Sequence, residues 1–162
     1  MKILFIADVV GVPGRRAVEE RLAPLKAELG ADFCILNGEN LADGVGITPK
    51  LADKMLESGA DAITLGNHVF RRGEIVPYLK ESDRIVRPAN LSARAPGKKL
   101  IVVDRVAVIN LLGFLFIGPP VNPFEVVDDL VEQARRQTPI IVLDMHGEAT
   151  SEKVAMSKWL DG

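Results

Sequence analysis

Asp61-Ala62-Ile63-Thr64-Leu65-Gly66-Asn67-His68 passes within one short stretch from an apolar run to two side chains that bind metal or move a proton. The run 61–65 reads as a buried strand, short and apolar. Gly66 is expected to let the backbone turn sharply there, so Asn67 and His68 fall at the strand's tip. The same pattern recurs along the chain. Lys2-Ile3-Leu4-Phe5-Ile6-Ala7 reads as a strand ending in Asp8, and Asp32 to Leu36 reads as one ending in Asn37-Gly38-Glu39-Asn40. Ile140 to Leu143 reads as a strand ending in Asp144-Met145-His146.

Helices are expected between these strands. Gly11-Val12-Pro13-Gly14 reads as a turn, and Val18, Leu22, Leu25 and Leu29 recur at helical spacing over 14–29, with Gly30 as the stop. Thr48 followed by Pro49 marks a helix start running to about Ser58. Glu74 to Lys80 reads as a short helix and Arg84-Ile85-Val86 as a brief strand. Leu100 to Val103 and Val106 to Leu111 read as a hairpin, and the stretch 113–123 as irregular. Asn122-Pro123 opens a helix to about Gln137, and Thr150 or Ser151 caps a last helix to about Leu160. Strand and helix alternation in the first half implies a parallel α/β sheet. The hairpin adds mixed strands, hence two packed sheets with outer helices in one domain over 1–162.

Composition narrows the function classes. A hydrophobic fraction of 48% supports a sizeable core, and a net charge of −2 leaves no basic footprint for duplex nucleic acid. The N-terminal apolar run is too short for a signal or a membrane span. The lone Cys34 lies in Phe33-Cys34-Ile35-Leu36, reads as a core residue, and agrees with a reducing, cytoplasmic setting.

In parallel α/β sheets ligands sit beyond the carboxyl ends of the strands. Asp8, Glu39 with Asn40, Asn67 with His68, and His146 would therefore converge on one edge. Carboxylate, amide oxygen and imidazole suit iron, manganese or zinc. Glu39, with its two oxygens, could bridge a metal pair that clamps a phosphoryl group, and His68 beside the metals would protonate the leaving oxygen. Each residue alone has a plainer reading. Asp8 reads as a turn or cap residue, His146 as a structural histidine, and Asn37-Gly38 and Asp43-Gly44 as ordinary turns. The arginine pairs 15–16, 71–72 and 135–136 read as solvated faces, although Arg71 or Arg72 could border a phosphate. Met156 and Trp159 read as packing residues. The conjunction at four strand ends carries the argument, although five side chains fall short of what two six-coordinate metals need.

Ile6-Ala7-Asp8-Val9-Val10-Gly11-Val12-Pro13-Gly14-Arg15, Asn37-Gly38-Glu39-Asn40, Gly46-Ile47-Thr48-Pro49, Thr64-Leu65-Gly66-Asn67-His68, Arg87-Pro88-Ala89-Asn90, Val108-Ile109-Asn110-Leu111-Leu112-Gly113 and Glu148-Ala149-Thr150-Ser151-Glu152-Lys153 together closely resemble one family. It is the YmdB-like branch of the calcineurin-type metallophosphoesterases, which act as 2′,3′-cyclic-nucleotide 2′-phosphodiesterases. The resemblance implies a four-layer α-β-β-α sandwich with mixed sheets and a two-metal site, most often iron. It implies Asp8 and Asn40 as ligands of one metal, Glu39 as the bridge, Asn67 and His146 as ligands of the other, and His68 as proton donor. The implied reaction is attack of metal-bound hydroxide on a 2′,3′-cyclic phosphate to give a 3′-nucleotide, with 3′,5′-cyclic nucleotides as further substrates. Homo-oligomers are implied as well.

Against that pattern, the family carries a further segment with a Gly-Thr-His-Thr-His motif beyond the position of Gly162. The expectation is a form lacking that C-terminal part, with an exposed sheet edge and added self-association. The region between Arg94 and Val106 reads as shorter than in the family, and Gly147 stands where alanine is commoner. Two other readings stay open. One is a non-catalytic nucleotide-binding module with phosphate at the helix start near Gly11 and Gly14, although Gly-x-Gly-x-x-Gly is absent. The other is an inactive truncated enzyme.

Overall fold

The computed structural model of the chain describes residues 1–119 and 121–161. Pro120, within the stretch read as irregular, and Gly162 lie outside the described residues. The first half builds a four-stranded sheet in the order β1-β2-β3-β4: β1 (Ile3–Ile6), β2 (Phe33–Asn37), β3 (Ala62–Thr64) and β4 (Ile85–Val86). All its pairings are parallel, in register Ile6↔Leu36 and Asn37↔Thr64 at the tips. The second half builds a three-stranded sheet, β5 (Leu100–Val103), β6 (Val106–Leu112) and β7 (Ile140–His146). There β5 and β6 form the expected antiparallel hairpin, and β7 runs parallel to β6.

Side-chain alternation sorts the apolar residues into three packed layers. Cys34 and Leu36 face one way, onto Val18 and Leu22 of α1 (Gly11–Leu29), Met55 of α2 (Pro49–Glu57) and Leu79 of α3 (Ile75–Glu81). Phe33 and Ile35 face the other way, onto Val106 and Val108 of the second sheet. On that sheet's far face Ala107, Ile109 and Leu111 meet Leu130 of α4 (Val127–Arg135) and Met156 of α5 (Thr150–Trp159). This is the expected α-β-β-α sandwich.

Several local readings need correction. Helix α1 begins at Gly11, not near 14. The first turn's N–H groups have no intrahelical partner, so Pro13 is tolerated there, and Gly14 N donates to Val10 O at 3.1 Å. The helix expected from Asn122 divides into a 3-10 turn, Pro123–Glu125, and α4. Neither Thr150 nor Ser151 caps α5. The capping position is Ala149, with no side-chain hydrogen bond. Strand β7 continues to His146 because its ladder with β6 reaches Leu112↔His146. Met156 is buried, but Trp159 is exposed, packing edge-on against Phe124 and donating Nε1–H to Asp128. Thr48 caps α2 as read, accepting from Leu51 N at 3.3 Å.

Tyr78 on α3 tests the helix layer. Burial, then its hydrogen bond to Asp53 and that carboxylate's charge, push its phenol from 10.0 up to about 12. A raised pKa stabilises the fold fully below 10, and the contribution is lost as pH rises through about 12. The chain has one tyrosine, so phenolate absorbance reports it alone. We expect a midpoint near 12 in the wild type. In Asp53→Ala we expect a lower midpoint that still exceeds 10, because burial is the larger cause. An unperturbed wild-type midpoint would refute this packing.

Candidate active site

At the carboxyl ends of β1, β2, β3 and β7 the layer between the sheets changes from apolar to polar. Phe33 and Ile35 give way to Asn37, and Val142 to Asp144 and His146. Glu39 is the centre of the resulting cluster and is 2% exposed. Its carboxylate lies 3.3 Å from His68 Nδ1 and 3.2 Å from His146 Nε2, and it accepts the His68 backbone N–H at 3.1 Å. Asn40 Nδ2 donates to Asp8 Oδ1 at 2.7 Å and to Glu39 Oε1 at 3.3 Å. Those two carboxylates fix the amide's orientation, so Asn40 Oδ1 faces His68 Nδ1 at 2.8 Å. Since Oδ1 only accepts, Nδ1 carries the proton in this network and Nε2 is the ring's other, uncommitted nitrogen.

The structure thus brings together Asp8, Glu39, Asn40, His68 and His146. Asn67 does not join them: its residue is exposed, and no side-chain hydrogen bond holds it among the described residues. Asp8 adopts φ 45°, a left-handed conformation uncommon outside glycine. Backbone strain of this kind gathers at functional sites. Gly66 serves a different purpose from the one read in the sequence. It has no positive φ, but a Cβ there would lie 1.8 Å from Glu39 Oε2 and 2.7 Å from His146 Nε2. The residue is glycine because the carboxylate occupies the space a side chain would need.

Electrostatics bind the cluster further. Burial pushes the Glu39 carboxyl up, but the hydrogen bond and charge of His146, with the His68 N–H, outweigh it and hold the group below its ordinary range. Burial pushes the His146 imidazole down, and Glu39, Asp144 and Asp8 outweigh that and raise it. Each partner thus favours the charged form of the other. Burial raises the Asp144 carboxyl, opposed in part by the neighbouring Thr64 and Asn37 side chains and by His146.

A groove of about 280 Å³ opens on this cluster, lined by Phe5, Asp8, Asn37, Asp144, His146 and Lys153 among others. A larger cavity, about 500 Å³, lies elsewhere, between Lys98–Leu100 and α4, and touches none of these groups. Chemistry, not size, locates the site. The donor set of carboxylates, amide oxygen and imidazoles fits a cation of intermediate hardness. Its weakness is that no three His, Cys, Asp or Glu side chains alone form a metal-holding group among the described residues; Asn40 would have to complete one.

Other readings from the sequence change. At the turn of Gly11 and Gly14 neither glycine N–H is free for a phosphate, because Gly11 N donates to Asn40 O at 2.9 Å and Gly14 N to Val10 O. Arg72 is exposed, as read, but its guanidinium also binds Ala42 O at 3.0 Å and Val45 O at 3.2 Å, stapling the 42–46 loop beside the site. Arg15 likewise binds Leu41 O. Among the described residues no helix is long and apolar enough to cross a membrane.

A two-sheet α/β sandwich with acidic, amide and imidazole groups gathered at the carboxyl ends of its strands has the fold of the calcineurin-like phosphoesterases. The chain belongs to the YmdB-like protein family, whose sequence profile matches residues 4–162. It is 45% identical to a 2′,3′-cyclic-nucleotide 2′-phosphodiesterase of Bacillus subtilis, over 100% of this chain and 63% of that protein. A crystal structure of a hypothetical protein from Thermus thermophilus superposes with a TM-score of 0.90 at 34% identity, over 99% of this chain and 64% of the other. A structure described as a novel phosphatase from Mycoplasma pneumoniae gives 0.90 at 32% identity, over 100% and 60%. The chain spans 60–63% of the length of the curated relatives it matches.

Proposed function

We propose that this chain carries the catalytic face of a metal-dependent phosphodiesterase acting on 2′,3′-cyclic nucleotides, with 3′,5′-cyclic nucleotides as secondary substrates. The observation that carries the reading is the Glu39 carboxylate held between two imidazoles, with Asp8 and Asn40 tied to it. Asp8, Glu39, Asn40 and His146 would hold the metals, with Asn67 turning inward to join them. Iron is the first choice, and manganese or zinc the alternatives. Bound there, two metals supply acidified water and neutralise phosphate charge. His68 is held by Asn40 at Nδ1, and as an imidazolium it would carry on Nε2 the proton that passes to the departing 2′ oxygen. Lys153 in the groove adds positive charge for an anionic substrate. We place the protein in the cytoplasm as a homo-oligomer.

The test is hydrolysis of adenosine 2′,3′-cyclic phosphate by iron- or manganese-supplemented protein. The expected product is the 3′-monophosphate. His68→Ala should lower turnover about 100-fold or more while keeping the wild-type metal content. A 2′-monophosphate product, or a His68→Ala variant at wild-type rate, would refute the assignment. Metal-independent nucleotide binding without turnover would instead mark a binding module.

A further inference from the structure

We infer that Asn37, at the tip of β2, is the positioning residue of the site, holding together all four strand ends that bear its functional groups. This rests on the site assignment above. Its own backbone leads through Gly38 to Glu39 and Asn40, and its side-chain Oδ1 accepts the Glu39 backbone N–H at 3.3 Å. Its backbone carbonyl accepts Val9 N–H at 3.1 Å, fixing the residue after Asp8. Its Nδ2 donates to Leu65 O at 3.2 Å, just before Gly66-Asn67-His68. The same Nδ2 donates to Asp144 Oδ2 at 3.1 Å, two residues before His146.

The last bond is the one that crosses between the sheets. Glu39, Asp8 and Asn40 follow strands of the first sheet and His146 ends a strand of the second, and among the described residues no strand of one sheet pairs with a strand of the other. The separation of Glu39 from His146 therefore depends on how the sheets are held at this end. Asp144 is itself anchored, its carbonyl accepting Asn110 Nδ2 at 3.3 Å. Asn37 is 2% exposed and both its Nδ2 hydrogens have acceptors. Only an amide meets this demand, since it donates twice and accepts once at the same position. An aspartate in its place would set oxygen against Leu65 O and the Asp144 carboxyl.

The chain has two histidines, both in the site, so their ring resonances in the metal-free protein read its geometry directly. In Asn37→Ala we expect both ring signals to move at fixed pH while amide signals from α4 and β5 keep their positions. Metal affinity, measured by competition with a chromophoric chelator, should fall about 10- to 100-fold, as losses of groups that orient ligands commonly do. Asp144→Asn keeps an acceptor for Asn37 and should preserve the metal affinity; Asp144→Leu should not. Asn37→Asp, of equal size, serves if the alanine variant does not fold. Unchanged histidine signals in a folded Asn37 variant would overturn the inference, as would a shift spread evenly over the molecule. The metal-free spectrum decides this alone. If the wild type binds no metal, the metalloenzyme reading fails and the positioning role still stands or falls by the histidine signals.

Discussion

Gly66→Ala should reduce hydrolysis of a cyclic phosphodiester and uptake of metal to background while leaving most of the fold in place. The added methyl would arrive 1.8 Å from Glu39 Oε2 and 2.4 Å from its Cδ. Those separations are far inside van der Waals contact, so the carboxylate must leave. Glu39 is buried and has no second seat: its departure strips the His68 N–H of its acceptor and removes the anion beside His146. A displacement of about 1 Å is enough to cost roughly 100-fold in a reaction that depends on alignment, and here a central ligand is displaced outright. Gly73→Ala is the control, because a Cβ there meets nothing within 4 Å, and it should match the wild type in metal content and rate. Metal titration and product formation on the same samples check both. A Gly66→Ala protein with half or more of the wild-type metal uptake would mean that Glu39 is not the centre of the site.

That glycine shows how the sequence was informative and where it was not. The position was legible, because an apolar run breaking into Gly66-Asn67-His68 marks a strand tip. The reason was not, because a glycine required by a side chain from another strand looks the same in one dimension as a glycine required by a turn. Asn37 was hidden in the same way. Asn-Gly is an ordinary turn pair, and nothing local indicates that the amide reaches Leu65 O and Asp144, residues 28 and 107 positions away. Strand β7 read short because Asp144 and His146 are polar, yet both occupy ladder positions facing the layer where apolar packing ends and the site begins. Glu152 read as part of a helix start. In the structure its carboxylate accepts the backbone N–H groups of Phe114 and Leu115 at 2.7 and 3.1 Å, tying α5 to the segment after β6. Helix periods and strand runs are local and were recoverable. Side chains whose partners lie on the other sheet were not.

Arg87→Ala should produce the largest loss of stability, without touching a functional group. Arg87 is 1% exposed, and its guanidinium meets a fan of backbone carbonyls: Pro96 O at 3.1 Å, Pro88 O at 2.7 Å and Ala95 O at 3.0 Å. Burial holds its pKa below the usual guanidinium value, but arginine remains charged in such surroundings. Bonds from a charged donor are worth about 1.5–3 kcal/mol each, and a buried acceptor left alone adds a cost of its own. We therefore expect a loss of about 3 kcal/mol or more, seen as a fall in Tm of roughly 6–12 °C for a chain of this size. Arg87→Lys should recover only part of it, because an ammonium is a point donor and cannot span the fan. Arg87→Met, which restores volume alone, should recover less. The defect should be felt along the connection between the sheets, since β4 passes through Arg87 and the loop to Lys98 before entering β5, and Arg87 N donates to Lys98 O at 3.1 Å. Amide exchange should accelerate first there and at Val86, which bridges Lys98. The histidine ring signals should hold their positions below the melt. A Tm within about 2 °C of the wild type would show that solvent replaces the guanidinium at no cost, and that the joint between the two sheets is held by something other than this residue.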